Sequence, residues 1–528
     1  MSEKKYNRRE FFGTVGAGLA AFSASTFFST SRETARRPNI IFIMADDHAE
    51  RAISCYGHSL IETPQIDRIA KEGMRFNSSF VTNSICAPSR AVLLTGKYSH
   101  INGLRDNRDT FDGSQVTFPK LLQQAGYYTA VVGKWHLKSE PTGFDTWNIL
   151  QGQGAYYNPV LIENGKEVQH TGYVTEIITD LVIECLKNRE KDKPFCVLYH
   201  HKAPHRNWMP DLKHLTLFKD KEIPLPKTFY DDYNTRSAAA KEQDMEIKNM
   251  FLSLDMKLHP FAYEKDDNSR GSKGHDAEKD WLNIYNSLTD EQRKAWDAHY
   301  EPISRAFKEA SLEGKELVEW KYQRYMKDYL RCIASIDENI GRVLDFLDGT
   351  GLTRNTIVVY TSDQGFYLGE HGWYDKRFMY EESLSMPLLV RYPEEVPAGT
   401  LNDEIVLNLD FAPTFLDYAG VEIPFDIQGR SLRSLLKGQK VGDWRKSMYY
   451  HYYEYPHGWH DVKRHYGIRT HRYKLIHFYD DIDAWELYDL QRDPDELMNL
   501  YDSEDYQGIV VDLKKELRVL RQKYKVTD

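Results

Sequence analysis

Four places in this 528-residue chain set acids, amides, lysine or histidine directly after an apolar run. Asp46 and Asp47 follow residues 39–44, and Lys134 and His136 follow residues 127–132. His200, His201 and then His205 follow residues 195–199, and Asp363 and Gln364 follow residues 356–360. Asp46, Asp47, Asp363 and the Gln364 amide offer oxygen only, the donor set of a hard cation such as Ca²⁺ or Mg²⁺ rather than zinc. One such place alone reads as a polar loop, and Asp46-Asp47 alone as a helix cap. Four together point to one site.

The elements that must position these groups follow from the same runs. Each run is continuously apolar, as in a strand covered on both faces. Helical patterns at 117–125, 173–189 and 322–347 separate them, so the chain alternates strand and helix. In an open α/β sheet, ligands bind beyond the carboxyl ends of the strands. That is where the carboxylates, the lysine and the histidines stand.

Between the first two runs lies Cys86-Ala87-Pro88-Ser89-Arg90, followed by Leu93-Leu94-Thr95-Gly96. This stretch, with Asp46-Asp47 before it and Gly133-Lys134-Trp135-His136 after it, resembles the signature of the formylglycine-dependent sulfatase family. The resemblance runs from about Pro38 to the end, including Trp485-Glu486-Leu487-Tyr488-Asp489-Leu490. It implies an α/β, alkaline-phosphatase-like fold: a large mixed or parallel sheet flanked by helices, with a smaller C-terminal antiparallel-sheet subdomain. It also implies that a maturation enzyme oxidises Cys86 to formylglycine.

The chemistry explains the residue types. A sulfate ester is an anion, so a nucleophile approaches against negative charge, and fixed cations that neutralise developing charge supply much of the catalysis. An aldehyde hydrate at position 86 offers one oxygen to attack sulfur and keeps a second hydroxyl, whose deprotonation expels sulfate and restores the aldehyde. By resemblance, Asp46, Asp47, Asp363 and Gln364 hold Ca²⁺ together with an oxygen of the modified residue 86. Arg90 stabilises the hydrate and Asp363 takes its proton. Lys134 and His136 face the sulfate, with His136 the base for its expulsion, and His205 with Lys376 protonates the leaving alcohol. Many relatives carry Asn where Gln364 stands, which moves the amide oxygen out by one methylene.

Within the family, three segments resemble bacterial exo-acting N-acetylglucosamine-6-O-sulfatases: residues 201–210, 229–233 and 369–377. They imply a 6-O-sulfated N-acetylglucosamine at a non-reducing end as substrate, with His371, Asp375, His457 and His465 as rim candidates for the ring hydroxyls. Other sugar sulfates (uronate 2-O or galactose), a phosphodiesterase or phosphonate monoester hydrolase of the same fold, and a catalytically dead glycan-binding protein are the competing readings. The last has no need of the intact nucleophile motif.

The rest of the chain bounds these readings. A net charge of −10 excludes a nucleic-acid partner, which needs a basic surface. Five cysteines without CxxC spacing make no disulfide framework. Residues 1–36 read as an export signal, because Asn7-Arg8-Arg9-Glu10-Phe11-Phe12 resembles a twin-arginine motif and residues 13–28 are charge-free and too short and glycine-rich for a membrane span. This points to twin-arginine export in a bacterium and a periplasmic or otherwise exported location. The catalytic domain is expected over 37–400, with a charged, solvated helical insertion at about 212–321 (helices at 238–254 and 290–312). A C-terminal α+β subdomain is expected over 401–528, with short strands at 447–455, 466–469, 473–478 and 486–490 and a helix at 508–525. The His- and aromatic-rich connection at 455–466 fits packing and sugar recognition equally.

Overall fold

The computed structural model describes residues 37–264 and 276–527. The export signal expected at 1–36 lies outside the described residues. Among those described, no helix is long and apolar enough to cross a membrane.

The four apolar runs become four adjacent parallel strands, in the spatial order Thr356–Ser362, Asn39–Ala45, Phe195–His200, Tyr128–Lys134. They occupy the centre of a ten-stranded mixed sheet. Side chains alternate across the first strand. Ile41, Ile43 and Ala45 face one core layer, shared with helices Val174–Asn188 and Gly314–Gly349. Ile40, Phe42 and Met44 face the other, shared with helices Cys86–Thr95, Phe118–Gln124 and Phe411–Ala419. Phe42 meets the Phe411 ring edge-on at 5.2 Å. Burial on both faces is why the run is apolar without alternation.

Register aligns the strand ends. Ala45 pairs with Ser362, Met44 with His200, and Gly133 with His200. Asp46, Asp363 and Lys134 therefore emerge side by side at one edge.

The C-terminal region forms a four-stranded antiparallel sheet, Ser447–Tyr452, His465–Thr470, Tyr473–Phe478 and Ala484–Asp489, in sequence order. Helix Gln507–Lys523 lays Val510, Leu513, Leu517 and Leu520 on it at helical spacing. Strand Thr400–Asn402 still belongs to the large sheet, and Phe411–Ala419 packs beneath that sheet. The large layer thus continues past the boundary expected at 400.

The insertion also differs from expectation. The helix expected over 238–254 is only Ala238–Glu242, followed by irregular chain. Rather than standing in solvent, the insertion buries Trp281, Trp296 and Tyr300 in the first core layer. Its charges dominate the composition, while a few large aromatic side chains decide its packing.

Gly133 tests the register. Its φ is +107°, and a Cβ there would stand 1.8 Å from the His200 carbonyl oxygen, a backbone atom of the paired strand. Gly133→Ala is expected to destabilise by about 3 kcal/mol or more, read as a lowered thermal midpoint. Gly152→Ala, at φ +53° with nothing within 4 Å, should cost only about 1–2 kcal/mol.

Candidate active site

Cys86 is the first residue of helix Cys86–Thr95, all ten residues of which are buried. Pro88 is tolerated because first-turn amides have no intrahelical acceptor, and Gly96 closes the helix in the left-handed conformation at φ 63°. Position 86 therefore sits at the positive end of the helix dipole, which favours an anion. One turn on, Arg90 donates from Nε and Nη2 to Asp363 Oδ2 at 3.1 and 2.9 Å, and from Nη1 to the Lys134 carbonyl at 2.7 Å.

Around position 86 the strand ends close in. The Cys86 thiol is 3.6 Å from Asp46 Oδ1, and Gln364 Nε2 is 3.7 Å from Sγ. Lys134 Nζ donates to Asp46 Oδ2. Lys376 Nζ donates to both oxygens of Asp47 at 2.7 Å. His205 Nε2 lies 3.8 Å from Asp47 Oδ2, and its Nδ1 faces the Arg206 carbonyl at 2.7 Å. His136 adopts φ 58°, and its Nδ1 has no partner.

The electrostatics follow from crowding like charges in a dry place. Burial opposes ionisation of Asp46, yet Lys134, His205 and Arg90 hold its carboxyl well below the usual range. Asp363 is pushed up to about 7 by burial and by the charge of Asp46. Burial, with Lys134 and Arg90 nearby, drives His136 down to about 2, so its imidazole is neutral. Burial raises the unmodified Cys86 thiol to about 12.

The donor set fits a divalent cation. Oxygens of Asp46, Asp47 and Asp363 lie within 4.8 Å of one another, all buried. The Gln364 amide meets Asp47 through its Nε2, and its Oε1 is buried without a hydrogen-bond partner. The converging carboxylate oxygens, the unmet amide oxygen and the raised Asp363 together suit one further positive charge at this point.

A cavity of about 610 Å³ opens over this floor, with Cys86, His136, His205 and Lys376 on its lining. Of the rim candidates, Asp375 lines it. His457 is exposed and off the lining. His371 is fully buried elsewhere, with its Nδ1 at 2.9 Å from Asp231 Oδ2 and 3.0 Å from Arg236 Nη2. His465 is also fully buried, stacked against Phe378, Tyr450 and Tyr452 inside the C-terminal sheet. Strand alternation sends it into the core.

The histidine of that region on the lining is His460, which lies inside the His457–His465 hairpin but which sequence reasoning did not single out. Its Nε2 is 3.2 Å from Asp375 Oδ2, and its Nδ1 is 2.7 Å from Asp244 Oδ1. Beside it stand Trp459, Glu454 and Arg377, the last with Nε 3.3 Å from Asp375 Oδ1. The density of His and aromatics at 455–466 was the available signal, but it did not say which histidine turns inward. His200 places Nδ1 3.2 Å from the Lys134 carbonyl, and both ring nitrogens of His201 are buried without a hydrogen-bond partner.

Comparisons with known proteins agree with this geometry. The sulfatase family model matches residues 38–421, and the model for the C-terminal region of N-sulphoglucosamine sulphohydrolase matches 369–523. The chain is 51% identical over 516 residues to an N-acetylglucosamine-6-O-sulfatase of Bacteroides thetaiotaomicron, covering 97% of this chain and 91% of that one. The human N-acetylglucosamine-6-sulfatase is 26% identical over 444 residues, 79% of this chain and 67% of its own length. A solved structure of a protein with its substrate, D-glucosamine-2-N,6-O-disulfate, superposes with a TM-score of 0.89 at 52% identity, over 93% of this chain and 99% of that one. The fold is accordingly the alkaline-phosphatase-like one of these proteins, and the chain belongs to the sulfatase family of sulfuric ester hydrolases.

Proposed function

We propose that this protein removes the 6-O-sulfate from N-acetylglucosamine at the non-reducing end of a glycan, with formylglycine made from Cys86 by a maturation enzyme and Ca²⁺ as the cation. The observation that carries the reading is the cavity itself. Its floor gathers a motif cysteine at a helix N-terminus, three carboxylates, two lysines and two histidines, and one wall holds the Asp375–His460 pair. The 51% identity to an N-acetylglucosamine-6-O-sulfatase supports the sugar. The twin-arginine-like leader supports export to the bacterial periplasm.

Asp46, Asp47, Asp363 and Gln364 would hold the cation, which when bound supplies charge neutralisation for the sulfate and for the modified residue 86. The chain's own groups divide the remaining work. Lys134 and Lys376, anchored on Asp46 and Asp47, set positive charge where the sulfate oxygens enter. Arg90, locked between Asp363 and the Lys134 carbonyl, orients position 86 and keeps Asp363 in place as a proton acceptor. Neutral His136 is a base at its free nitrogen, and His205 delivers a proton to the departing alcohol oxygen. Asp375 and His460 read sugar hydroxyls, since a carboxylate and an imidazole side by side can bond a hydroxyl pair.

A wall that carries buried polar groups of this kind rejects epimers, because a misplaced hydroxyl leaves those groups unpaired. Turnover of N-acetylglucosamine-6-sulfate is expected to exceed that of galactose-6-sulfate by about 10⁴-fold. His460→Ala is expected to lower kcat/KM by about tenfold or more, whereas His465→Ala should chiefly lower the melting temperature. Rapid cleavage of a uronate 2-sulfate, with none of the 6-sulfated hexosamine, would discard this substrate.

Two further measurements address the site chemistry. Peptide mass spectrometry of active protein should find position 86 with H₂S lost and one oxygen gained, and Cys86→Ala should fold yet be inactive. Full activity with wholly unmodified Cys86 sinks the nucleophile. Exhaustive chelation should abolish activity and lower the melting temperature, with calcium restoring both; zinc as the metal found by elemental analysis contradicts the cation.

A further inference from the structure

Four carboxamides line the same cavity, Asn107, Gln153, Asn207 and Asn283; no step above uses them, and two of them carry a buried atom without a hydrogen-bond partner. Asn207 is 8% exposed, and its Nδ2 has no hydrogen-bond partner. Gln153 Oε1 is also buried and unpartnered. One is a donor and the other an acceptor. Buried polar groups rarely stay unmet, because each gives up water for nothing. On the wall of a substrate cavity, the substrate is what can meet them.

The segments carrying the two side chains are braced against each other. The Tyr156 hydroxyl donates to the His205 carbonyl at 2.6 Å, that of Tyr157 to the Pro210 carbonyl, and that of Tyr173 to the Met209 carbonyl at 2.9 Å. The carboxamides therefore ride on one frame beside His205. The other buried atoms on the lining without a hydrogen-bond partner already have work. His136 faces the sulfate, and Arg377 Nε and His460 Nε2 lie 3.3 and 3.2 Å from the Asp375 carboxylate.

A substituent that answers both carboxamides needs a donor and an acceptor. A free ammonium group offers donors only, and a hydroxyl offers both from a single atom. An N-acylated or N-sulfonated amine offers an N–H and an oxygen flanking one central carbon or sulfur. It can donate to Gln153 Oε1 and accept from Asn207 Nδ2 together. The geometry points to Gln153 and Asn207 as the specificity residues that read a substituted 2-amino group on the sugar. This rests on the 6-sulfated amino-sugar reading above.

The test is kcat/KM for the 6-sulfates of N-acetylglucosamine, N-sulfoglucosamine, glucosamine and glucose, with the matured wild type, Gln153→Ala, Asn207→Ala and Asn207→Ser, alongside melting temperatures. The wild type is expected to favour one or both N-substituted sugars over glucose-6-sulfate by about tenfold or more, and each variant to lose about tenfold on those sugars, one net hydrogen bond's worth. Glucose-6-sulfate turnover should fall less than that of the N-substituted sugars, because its 2-hydroxyl ends one bond from the ring, whereas an N-acyl or N-sulfonyl group reaches further into the wall. The preferred N-substituent distinguishes an acyl from a sulfonyl reader. Equal losses on all four sugars would mean a structural role, and unchanged ratios would mean no contact; either overturns the inference while leaving the sulfatase reading intact. If the wild type cleaves none of the four, the substrate reading fails and this inference falls with it. Asn207→Ser keeps the test open should the alanine variant not fold.

Discussion

Three carboxylates forced together at the ends of parallel strands are the constraint around which this molecule is arranged. Parallel register brings Ala45 and Ser362 level, so the acids that follow them cannot separate. Buried and adjacent, they oppose one another's ionisation, and Asp363 shows it. Arg90 and Lys134 then join helix, strand and carboxylates into one lattice of alternating charge. A buried pair of this kind is costly to break, roughly 3–5 kcal/mol when one partner is removed, because the other stays charged and unsolvated. The lattice therefore fixes the geometry of the floor to a degree that loops alone would not.

That arrangement also explains which parts were legible in the sequence. The four central strands and their flanking helices were readable because burial on both sheet faces leaves a continuous apolar run, and, apart from Cys86, Arg90 and Lys376, which the motif resemblance supplied, the floor residues were readable because they stand just after those runs. Each such residue is positioned by its own neighbours in the chain, so local sequence carries its placement. The boundary at 400 misled because strand Thr400–Asn402 is short and pairs with the distant Met74–Phe76, and nothing in its composition marks that partner. The insertion misled because its many charges hid the buried Trp281 and Trp296.

The wall was far less legible. Asp375 meets His460, which meets Asp244, three residues from three segments whose approach only tertiary packing decides. His371 and His465 have the right chemistry but the wrong surroundings, an ionic cluster and an aromatic core. Gln153 gave no signal, and Asn207 only its place in the 201–210 segment, since a carboxamide in a loop is ordinary until its lack of a partner is seen.

The two kinds of legibility match two kinds of work. Groups that act on the sulfate are needed whatever the alcohol, and most of them sit at the ends of paired strands or on the buried helix Cys86–Thr95, where backbone hydrogen bonds hold them. Groups that read the alcohol come from loops, the insertion and the C-terminal hairpin, elements able to change without disturbing the sheet. The C-terminal sheet is not a detached module in this division. Its hydrophobic layer includes Tyr98, Trp373 and Phe378, and the last two belong to the same segment as Asp375, Lys376 and Arg377. Packing that sheet against the large domain therefore sets a floor lysine and a rim carboxylate at once, coupling the grip on the sulfate to the grip on the sugar through one short stretch of chain.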